Sequence, residues 1–301
     1  MGRREFLLGR LVGLVASVWA VVTLVFLYVE VTPYTGAGAN GEAVPVAPSD
    51  PLLDRYLDWL AWLATLPDAV VDPLVDPTGF TLAYLLPAMV VAVLVGTVLR
   101  VYSVATEGRL LDRSLDATAL VGLSVPAFVL AFLFGEFLLT DYLSLLGRLG
   151  VYDTTEGPFS PRNLTAAVWP GPAMAAFLIA AQLHYAGEQL RAHASDPLVK
   201  TARAKGLGDW RTGWHLFRNT ATTLLSVLLT DMYGMVLVAV FTVEFATETP
   251  GIGEFIIAAV LDGDLPAILG VTLLLVGVGV LATFAEDLAY ALTDPRVEFE
   301  D

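Results

Sequence analysis

An ionisable side chain inside an apolar segment is the first feature of this sequence that could take part in chemistry. Residues 219–243 form a long apolar run, and Asp231 is its only charged residue. A carboxylate at the depth of a bilayer is costly, and it usually faces a cavity or a partner. Asp231 is therefore a candidate lining residue of a pathway, where it would meet an amine or another cation. The alternative is a protonated or hydrogen-bonded packing residue.

The other residue types that carry chemistry give no catalytic or metal site. The chain has no cysteine, which excludes disulfides, thiol catalysis and thiolate metal ligands. His184 and His193 are nine residues apart and His215 lies in another element, so the three lack the spacing of a ligand set. The G-x-S-G motif of an intramembrane serine protease is incomplete at Ser124, because Val125 replaces its final glycine. We predict no metal site and no catalytic residue.

A phosphate-binding loop for nucleotides does not occur in the sequence either. No stretch matches G-x-x-x-x-G-K-[ST], so the chain does not cradle nucleotide phosphates by that route. We therefore predict that the chain is not an enzyme by itself and holds no cofactor. Any ATP hydrolysis on which it depends would take place in a partner subunit.

The composition is that of a polytopic membrane protein. The 301 residues are 56% hydrophobic and only 16% charged, which is less charge than a soluble domain of this size carries. The formal net charge is −15, with 14 Arg and 2 Lys against 31 acidic residues. Many carboxylates with scarce lysine indicate a salt-loving source, and a lineage bias in codon usage is the alternative. We expect membrane lipid and no nucleic acid around this chain.

Six segments are long and apolar enough to cross a bilayer, which takes about 20 helical residues. The first is too long for a signal-peptide core and has no small-residue cleavage site, so we interpret it as a retained helix. The sequence therefore predicts an all-α membrane protein with six transmembrane helices. The predicted spans are Leu11–Val29, Pro77–Leu99, Ala117–Gly135, Asn163–Gly187, Asn219–Val243 and Leu265–Ala285.

The distribution of Lys and Arg predicts the orientation of these spans. The loops that hold most positive charge stay in the cytoplasm. Thirteen of the 16 basic residues lie before the first span, between spans two and three, between spans four and five, or after the sixth. Only Arg55, Arg148 and Arg162 lie on the other side. Both termini are therefore predicted to be cytoplasmic, in a multi-pass protein of the cell membrane.

The sequence divides into three parts. Residues 1–29 hold the cytoplasmic N-terminus and the first span, and residues 77–301 hold a five-helix core. Residues 30–76 between them are acidic, rich in proline and extracytoplasmic, and they are unlike a segment that forms its own core. Within them, Ser49 and Asp50 ahead of Pro51 predict the start of a helix with two tryptophans. That helix would lie at the outer membrane surface or pack on the spans.

The cytoplasmic loop at about 188–218 is longer than a minimal hairpin. Asp196 and Pro197 predict the start of a helix, and Gly206 and Gly208 predict its end. Asp209 then predicts a second, short helix, which carries aromatic residues. The small side chains of the first helix would let another surface approach closely. Positive-inside bias alone explains the charges of the loop but not this pattern, so we favour a docking role.

The stretch "KTARAKGL", residues 200–207, resembles the cytoplasmic signature of ABC-transporter permeases of the dipeptide/oligopeptide type. In that family, an Ala and a Gly four positions apart mark the coupling helix, which sits in a cleft of a partner ATPase. Lys200 stands where the broader superfamily has an acid, and the proline usual near Thr223 is missing. The resemblance implies a coupling role for Leu198, Lys200, Ala202, Arg203, Lys205, Gly206 and Leu207.

The resemblance covers most of the chain. "LLGRL" (7–11), "GRLLDRSLDATALVGLSVPAF" (108–128) and "DPR" (294–296) are similar to family segments in the same order. "VEFATETPGIGEF" (243–255) is similar to the outer segment between spans five and six, with Pro250, Gly251 and Gly253 in the motif. Span five then resembles a pathway helix, which makes Asp231 and Glu244 candidate pathway residues.

The resemblance implies a permease of the type I ABC importer fold that moves di- or oligopeptides or related small solutes. Its partners would be a related but different permease chain, two ABC ATPase subunits that bind ATP and Mg, and an extracellular solute-binding protein. Residues 196–218 would transmit closure of the ATPases to the spans. A secondary, ion-coupled transporter is the alternative. It would need no ATPase, but it would also have no use for a docking loop.

Overall fold

The fold is known from a computed structural model of the chain. The structure describes residues 3–31, 35–37, 43–45, 50–65, 68–105, 110–139, 151–194, 200–201, 204–226, 232–262 and 264–293. Four residues of the predicted sites lie outside the described residues, namely Leu198, Ala202, Arg203 and Asp231.

Helices make up nearly all of the described chain, in agreement with the predicted all-α class. The exception is a small antiparallel pair of strands, β1 (Thr35–Ala37) and β2 (Ala43–Pro45), in the acidic segment. The helices are α1 (Arg3–Val31), α2 (Leu52–Ala64), α3 (Asp68–Ala105), α4 (Leu110–Ser124), α5 (Ala127–Leu139), α6 (Pro161–Ala166), α7 (Pro170–Ala194), α8 (Asp209–Ser226), α9 (Tyr233–Thr247), α10 (Ile252–Asp262) and α11 (Leu265–Thr293).

The chain divides into two compact units. The first contains residues 1–75, 256–280 and 298–301. Within it, α2 contacts α1 through an aromatic face: the Tyr56 hydroxyl lies 2.7 Å from the Thr23 hydroxyl, and the Tyr56 ring lies 5.1 Å from that of Phe26. Helix α2 begins directly after Pro51, as the sequence predicted, and its Leu53 is exposed. One face of α2 is thus packed on α1, while Leu53 remains exposed on another.

The second unit contains residues 76–255 and 281–297. Helix α7 is its centre, because α7 packs against α4, α5, α8 and α9. Small side chains allow this close packing: Ala173 and Ala181 are fully buried, and a Cβ at Gly122 would collide with Ala180. The core therefore rests on alanine and glycine at helix contacts, as is common where lipid supplies no hydrophobic drive for association.

The predicted third span is not one straight helix. Helix α4 ends at Ser124, α5 begins at Ala127, and their axes differ by 89°. Pro126 stands at the break, where it has no backbone N–H to donate and disfavours the helical conformation of the residue before it. Pro126 therefore interrupts the helix at the place where the chain turns through nearly a right angle.

The number of spans is set only in part by the described residues. Within the described ranges, two helices are long and apolar enough to cross a membrane, at Val70–Val104 and Pro266–Leu288. Two bent pairs raise the number to four if each pair is one span: α4 with α5, and α9 with α10, which meet at 80°. The chain is an integral membrane protein, while six spans and cytoplasmic termini stay predictions.

Candidate functional site

The described part of the predicted coupling loop is an exposed helical turn that ends at a glycine. Residues 200, 201 and 204 are helical, and the Lys205 N–H donates to the Thr201 carbonyl at 3.0 Å. Gly206 then has φ +74°, a left-handed conformation that glycine adopts without steric cost. This is the helix end that the sequence predicted. Lys200, Lys205 and Gly206 are all exposed, and Leu207 is half-buried.

The helix after the loop is longer than predicted. Instead of a short helix, α8 has 18 residues and reaches Ser226, inside the predicted fifth span. Its faces differ: Thr212 and Leu216 are 2% exposed, whereas Trp210 and Trp214 are each 55% exposed. One face of α8 therefore packs on the core directly after Gly208, while Trp210 and Trp214 remain accessible.

A cavity lies beside these tryptophans, between α3, α7 and α8, and its volume is about 330 Å³. Its walls are apolar apart from Thr97 and Gln182. The Gln182 amide nitrogen donates to the Thr97 hydroxyl at 3.0 Å, and its carbonyl oxygen is buried without a partner among the described residues. No pattern in the sequence indicates this cavity, because its walls come from three separate segments.

An ion cluster around one buried arginine joins three helices near the predicted cytoplasmic side. Arg100, in α3, is fully buried, and its Nε donates to the Leu183 carbonyl of α7. Its Nη1 donates to Asp112 at 3.3 Å and its Nη2 donates to Asp116 at 2.7 Å, both in α4. Ser103, also in α3, donates to the same Asp112 oxygen at 2.9 Å. One side chain therefore fixes α3, α4 and α7 to each other.

A second arginine closes the cluster from its exposed side. Arg191, in α7, lies 2.9 Å from Asp116 Oδ2 and 3.4 Å from Asp112 Oδ2. The hydrogen bond to Asp116 raises the pKa of the Arg191 guanidinium above its ordinary value. The cluster thus holds two cations and two anions, which keeps its internal charge balanced. We refer to Arg100, Asp112, Asp116 and Arg191 below as the cytoplasmic cluster.

The sequence reasoning missed the cytoplasmic cluster, although part of its signal was visible. Asp112 and Asp116 are four residues apart, which places both on one face of a helix. Arg100 follows directly after a predicted apolar span, where an arginine by itself indicates only the orientation of that span. The decisive contact, from Arg100 to Leu183, joins residues 83 positions apart.

The second polar site is a buried carboxylate at the other end of the same unit. Glu244, in α9, is fully buried. Its Oε1 accepts from the Thr81 hydroxyl at 2.6 Å and from the Tyr84 hydroxyl at 2.8 Å, both in α3. Its Oε2 accepts from the Gly253 N–H of α10 at 2.6 Å. Glu244 therefore connects α3, α9 and the outer motif inside this chain, and its pathway role stays a prediction.

The outer motif is shaped around that carboxylate. Helix α9 ends in a left-handed residue, Glu248 (φ 49°), and the Thr249 N–H donates to the Glu244 carbonyl at 3.1 Å. A Cβ at Gly251 would meet the Glu244 carboxylate, and one at Gly253 would lie 2.6 Å from the Phe241 Cα. Two of the three motif residues are thus glycines, because the Glu244 carboxylate and the Phe241 backbone leave no room for a Cβ at these positions. Pro250, the third, is half-buried before them.

The residues of the protease alternative are occupied elsewhere. The Ser124 hydroxyl donates to the Leu120 carbonyl at 2.7 Å, a bond within its own helix. His184 Nε2 lies 3.7 Å from Glu188, one turn further along α7. Neither geometry resembles a serine activated by a histidine base, which requires the two side chains to be hydrogen-bonded to each other.

Comparison with known proteins identifies the family. The sequence model described as "Binding-protein-dependent transport system inner membrane component" matches residues 92–299, more than half of the chain. The chain belongs to this family. The matched region includes the cytoplasmic loop, both carboxylates of the cytoplasmic cluster and the outer motif. The resemblance drawn from the separate motifs is confirmed, and the chain is a permease component of a binding-protein-dependent importer.

Individual relatives extend the match over the whole chain. The dipeptide transport system permease protein DppB of Bacillus subtilis is 26% identical over 315 residues, which covers 98% of this chain and 98% of DppB. A putative peptide permease protein of Brucella suis is 25% identical and covers 96% of this chain and 97% of its own length. A probable peptide ABC transporter permease of Sinorhizobium fredii is 28% identical over 214 residues, 70% of this chain and 66% of its own. The permease chain is thus similar to the first two relatives over nearly their whole length.

Proposed function

We propose that this permease is one subunit of an ATP-driven importer of di- or oligopeptides or related small solutes. The observation that carries the proposal is the similarity to a dipeptide permease over 98% of this chain, which extends beyond the family match at residues 92–299. A similarity of this kind covers the spans, the outer motif and the cytoplasmic loop together. The relatives' names indicate the peptide class as substrate.

The cytoplasmic loop supports a mechanical role within that importer. Its described part is exposed, ends in a left-handed glycine and is followed by a helix packed into the core. A short helix held in this way would enter a cleft of an ATPase subunit and follow the closure of that subunit. ATP and Mg would be bound by two such ATPases, and a solute-binding protein would deliver substrate from outside. Rigid-body movement of the spans would then open the pathway alternately to each side.

The proposal is tested by uptake into proteoliposomes. The affinity-tagged permease is purified in mild detergent with its associated subunits and reconstituted, and uptake of a labelled dipeptide is measured with its binding protein outside. We expect uptake to require ATP and Mg inside the vesicles and to persist when ionophores collapse the ion gradients. Gradient-driven uptake without ATP would instead establish the secondary transporter.

Asp231 is expected to select for positive charge on the substrate. Removing an anion from the pathway in Asp231→Asn should lower uptake of a cationic peptide about tenfold, equivalent to about 1.4 kcal/mol of lost attraction. Uptake of an uncharged, N-acetylated peptide should change little. Competition between the two labelled peptides measures the ratio, and the exposed Asp262→Asn is the control. If Asp231→Asn takes up the cationic and the uncharged peptide in the same ratio as the parent protein, the pathway role is excluded.

A further inference from the structure

We propose that Arg100 is a positioning residue for energy coupling: it makes α3 and α4 follow the movement that the cytoplasmic loop imposes on α7. The inference rests on the proposed function and deepens it, because it names how a force on the loop reaches other spans. The observation behind it is the contact of one buried guanidinium with two neighbouring helices. Arg100 touches neither the substrate nor the partner ATPase in this proposal.

The first step of the argument is the place of α7 in the chain. Helix α7 ends at Ala194, and the predicted coupling helix begins at Asp196. Arg191 lies in the last turn of α7, and Leu183 lies about three turns from its end, because a turn takes about 3.6 residues. A displacement of the loop therefore acts first on the segment of α7 that the cytoplasmic cluster grips.

The second step is the geometry of the hydrogen bonds that the Arg100 guanidinium donates. A guanidinium is planar and its donors form a fixed fork, so it specifies direction as well as distance. Arg100 uses Nε for the Leu183 carbonyl in α7, and Nη1 and Nη2 for two carboxylates in α4. Any axial shift or rotation of α7 must carry this fork with it or break charge-assisted bonds in a buried place.

The third step is Gly187, which brings α7 onto the guanidinium itself. A Cβ at Gly187 would lie 2.7 Å from Arg100 Nε and 2.8 Å from Cζ. The absence of a side chain at 187 lets the face of α7 contact the guanidinium directly. Leu183 and Gly187 are one turn apart on that face, so Arg100 meets α7 through a bond and a close packing contact.

Stability alone is a weak reason for such a cluster. Buried ion pairs gain little over well-packed apolar side chains, because desolvation offsets much of the Coulomb attraction. What a fully satisfied polar cluster supplies is a single, specific arrangement of the elements it joins. A transporter whose spans must move together needs that property at the point where force enters.

The test compares uptake with ATP hydrolysis in the complete reconstituted transporter. The variants are Arg100→Lys, which keeps the charge but loses the fork, and Gly187→Ala, which keeps every charge and displaces the guanidinium. Arg113→Lys is the matched control, because Arg113 is exposed on α4 and undergoes the same change. We expect both variants to assemble with the ATPases and to hydrolyse ATP within about twofold of the parent rate. Uptake should fall at least tenfold, so that ATP consumed per dipeptide rises tenfold.

The outcomes separate this inference from the proposed function. If the parent protein takes up dipeptide with ATP and both variants keep its ratio of ATP to dipeptide, Arg100 has no coupling role. If neither variant assembles, the cluster serves folding alone and the inference is overturned as well. If the parent protein needs no ATP, the importer proposal itself fails. A raised ratio in Gly187→Ala with a normal ratio in Arg113→Lys supports the inference even if Arg100→Lys does not assemble.

Discussion

Replacing Gly206 with arginine is expected to abolish dipeptide uptake while the protein still inserts into the membrane and folds. Gly206 has φ +74°, a conformation that costs a residue with a side chain about 1–2 kcal/mol. Apart from the two neighbouring residues, no atom of the described chain lies within 4 Å of a Cβ built there. The bulk of an arginine would therefore project from the loop rather than into its own core. Its effect would fall on the surface that the ATPase is proposed to hold.

Three further variants separate the two causes of the expected loss of uptake, which are the backbone strain at residue 206 and the bulk of the arginine side chain. Gly206→Ala carries the backbone cost alone, and we expect a partial loss of uptake. Gly208→Ala is the control, because Gly208 has no positive φ and also faces open space; its uptake should match that of the parent protein. Ala202→Arg, on a residue outside the described part of the chain, should behave like Gly206→Arg. Copurification of the ATPases with each variant measures docking directly. Normal uptake by Gly206→Arg would show that the loop does not have the proposed coupling role.

Replacing Glu244 with alanine is expected to lower the stability of the permease more than most single changes. The change leaves the Tyr84 hydroxyl and the Gly253 N–H without their acceptor in a fully buried place. A buried donor without an acceptor costs about 1–3 kcal/mol. Two such donors should therefore cost roughly 2–6 kcal/mol together. The outer motif, which is built around this carboxylate, should loosen first.

Thermal unfolding of the detergent-solubilised protein measures this cost. Glu188→Ala is the matched control, since its side chain is 60% exposed, and we expect an unchanged midpoint. Glu244→Gln keeps one acceptor oxygen for α3 but places an amide N–H against that of Gly253, so its midpoint should lie between those of Glu244→Ala and the parent protein. An unchanged midpoint in Glu244→Ala would show that the carboxylate does not hold these elements. A normal midpoint in Glu244→Gln with reduced uptake of cationic peptides would support its pathway role instead.

Local patterns were enough to predict much of this protein. Long apolar runs identify a membrane chain because a helix of about 20 apolar residues matches the hydrocarbon thickness of a bilayer, whereas buried core helices have shorter apolar runs. Pro51 gave the start of α2, and Gly206 gave the end of a helical turn, because these residue types restrict or free their own backbone. The motifs around residues 200–207 and 243–255 were sufficient to indicate the family. All of these signals act within a few residues of where they are seen.

Some local expectations failed where a distant contact decided the outcome. The predicted third span is two helices at a right angle, since a proline opens the helix and packing fixes how far it turns. The helix at Asp209 is longer than predicted because Leu216 and Thr220 bury one face of it in the core. Neither feature can be derived from hydropathy, which has no information on neighbouring elements.

What the sequence alone determined is the membrane class of the protein, the helix end at Gly206 and the family. What only the tertiary structure decided is which polar residues meet. Arg100 and Leu183 are 83 positions apart, and Thr81 and Glu244 are 163 apart. In the sequence, Arg100 is one topology charge among many, and Glu244 is one acid in an outer motif. The physical reason is that the role of a buried charged side chain depends on the groups it contacts. Here those groups lie on separate helices, and only folding brings them together.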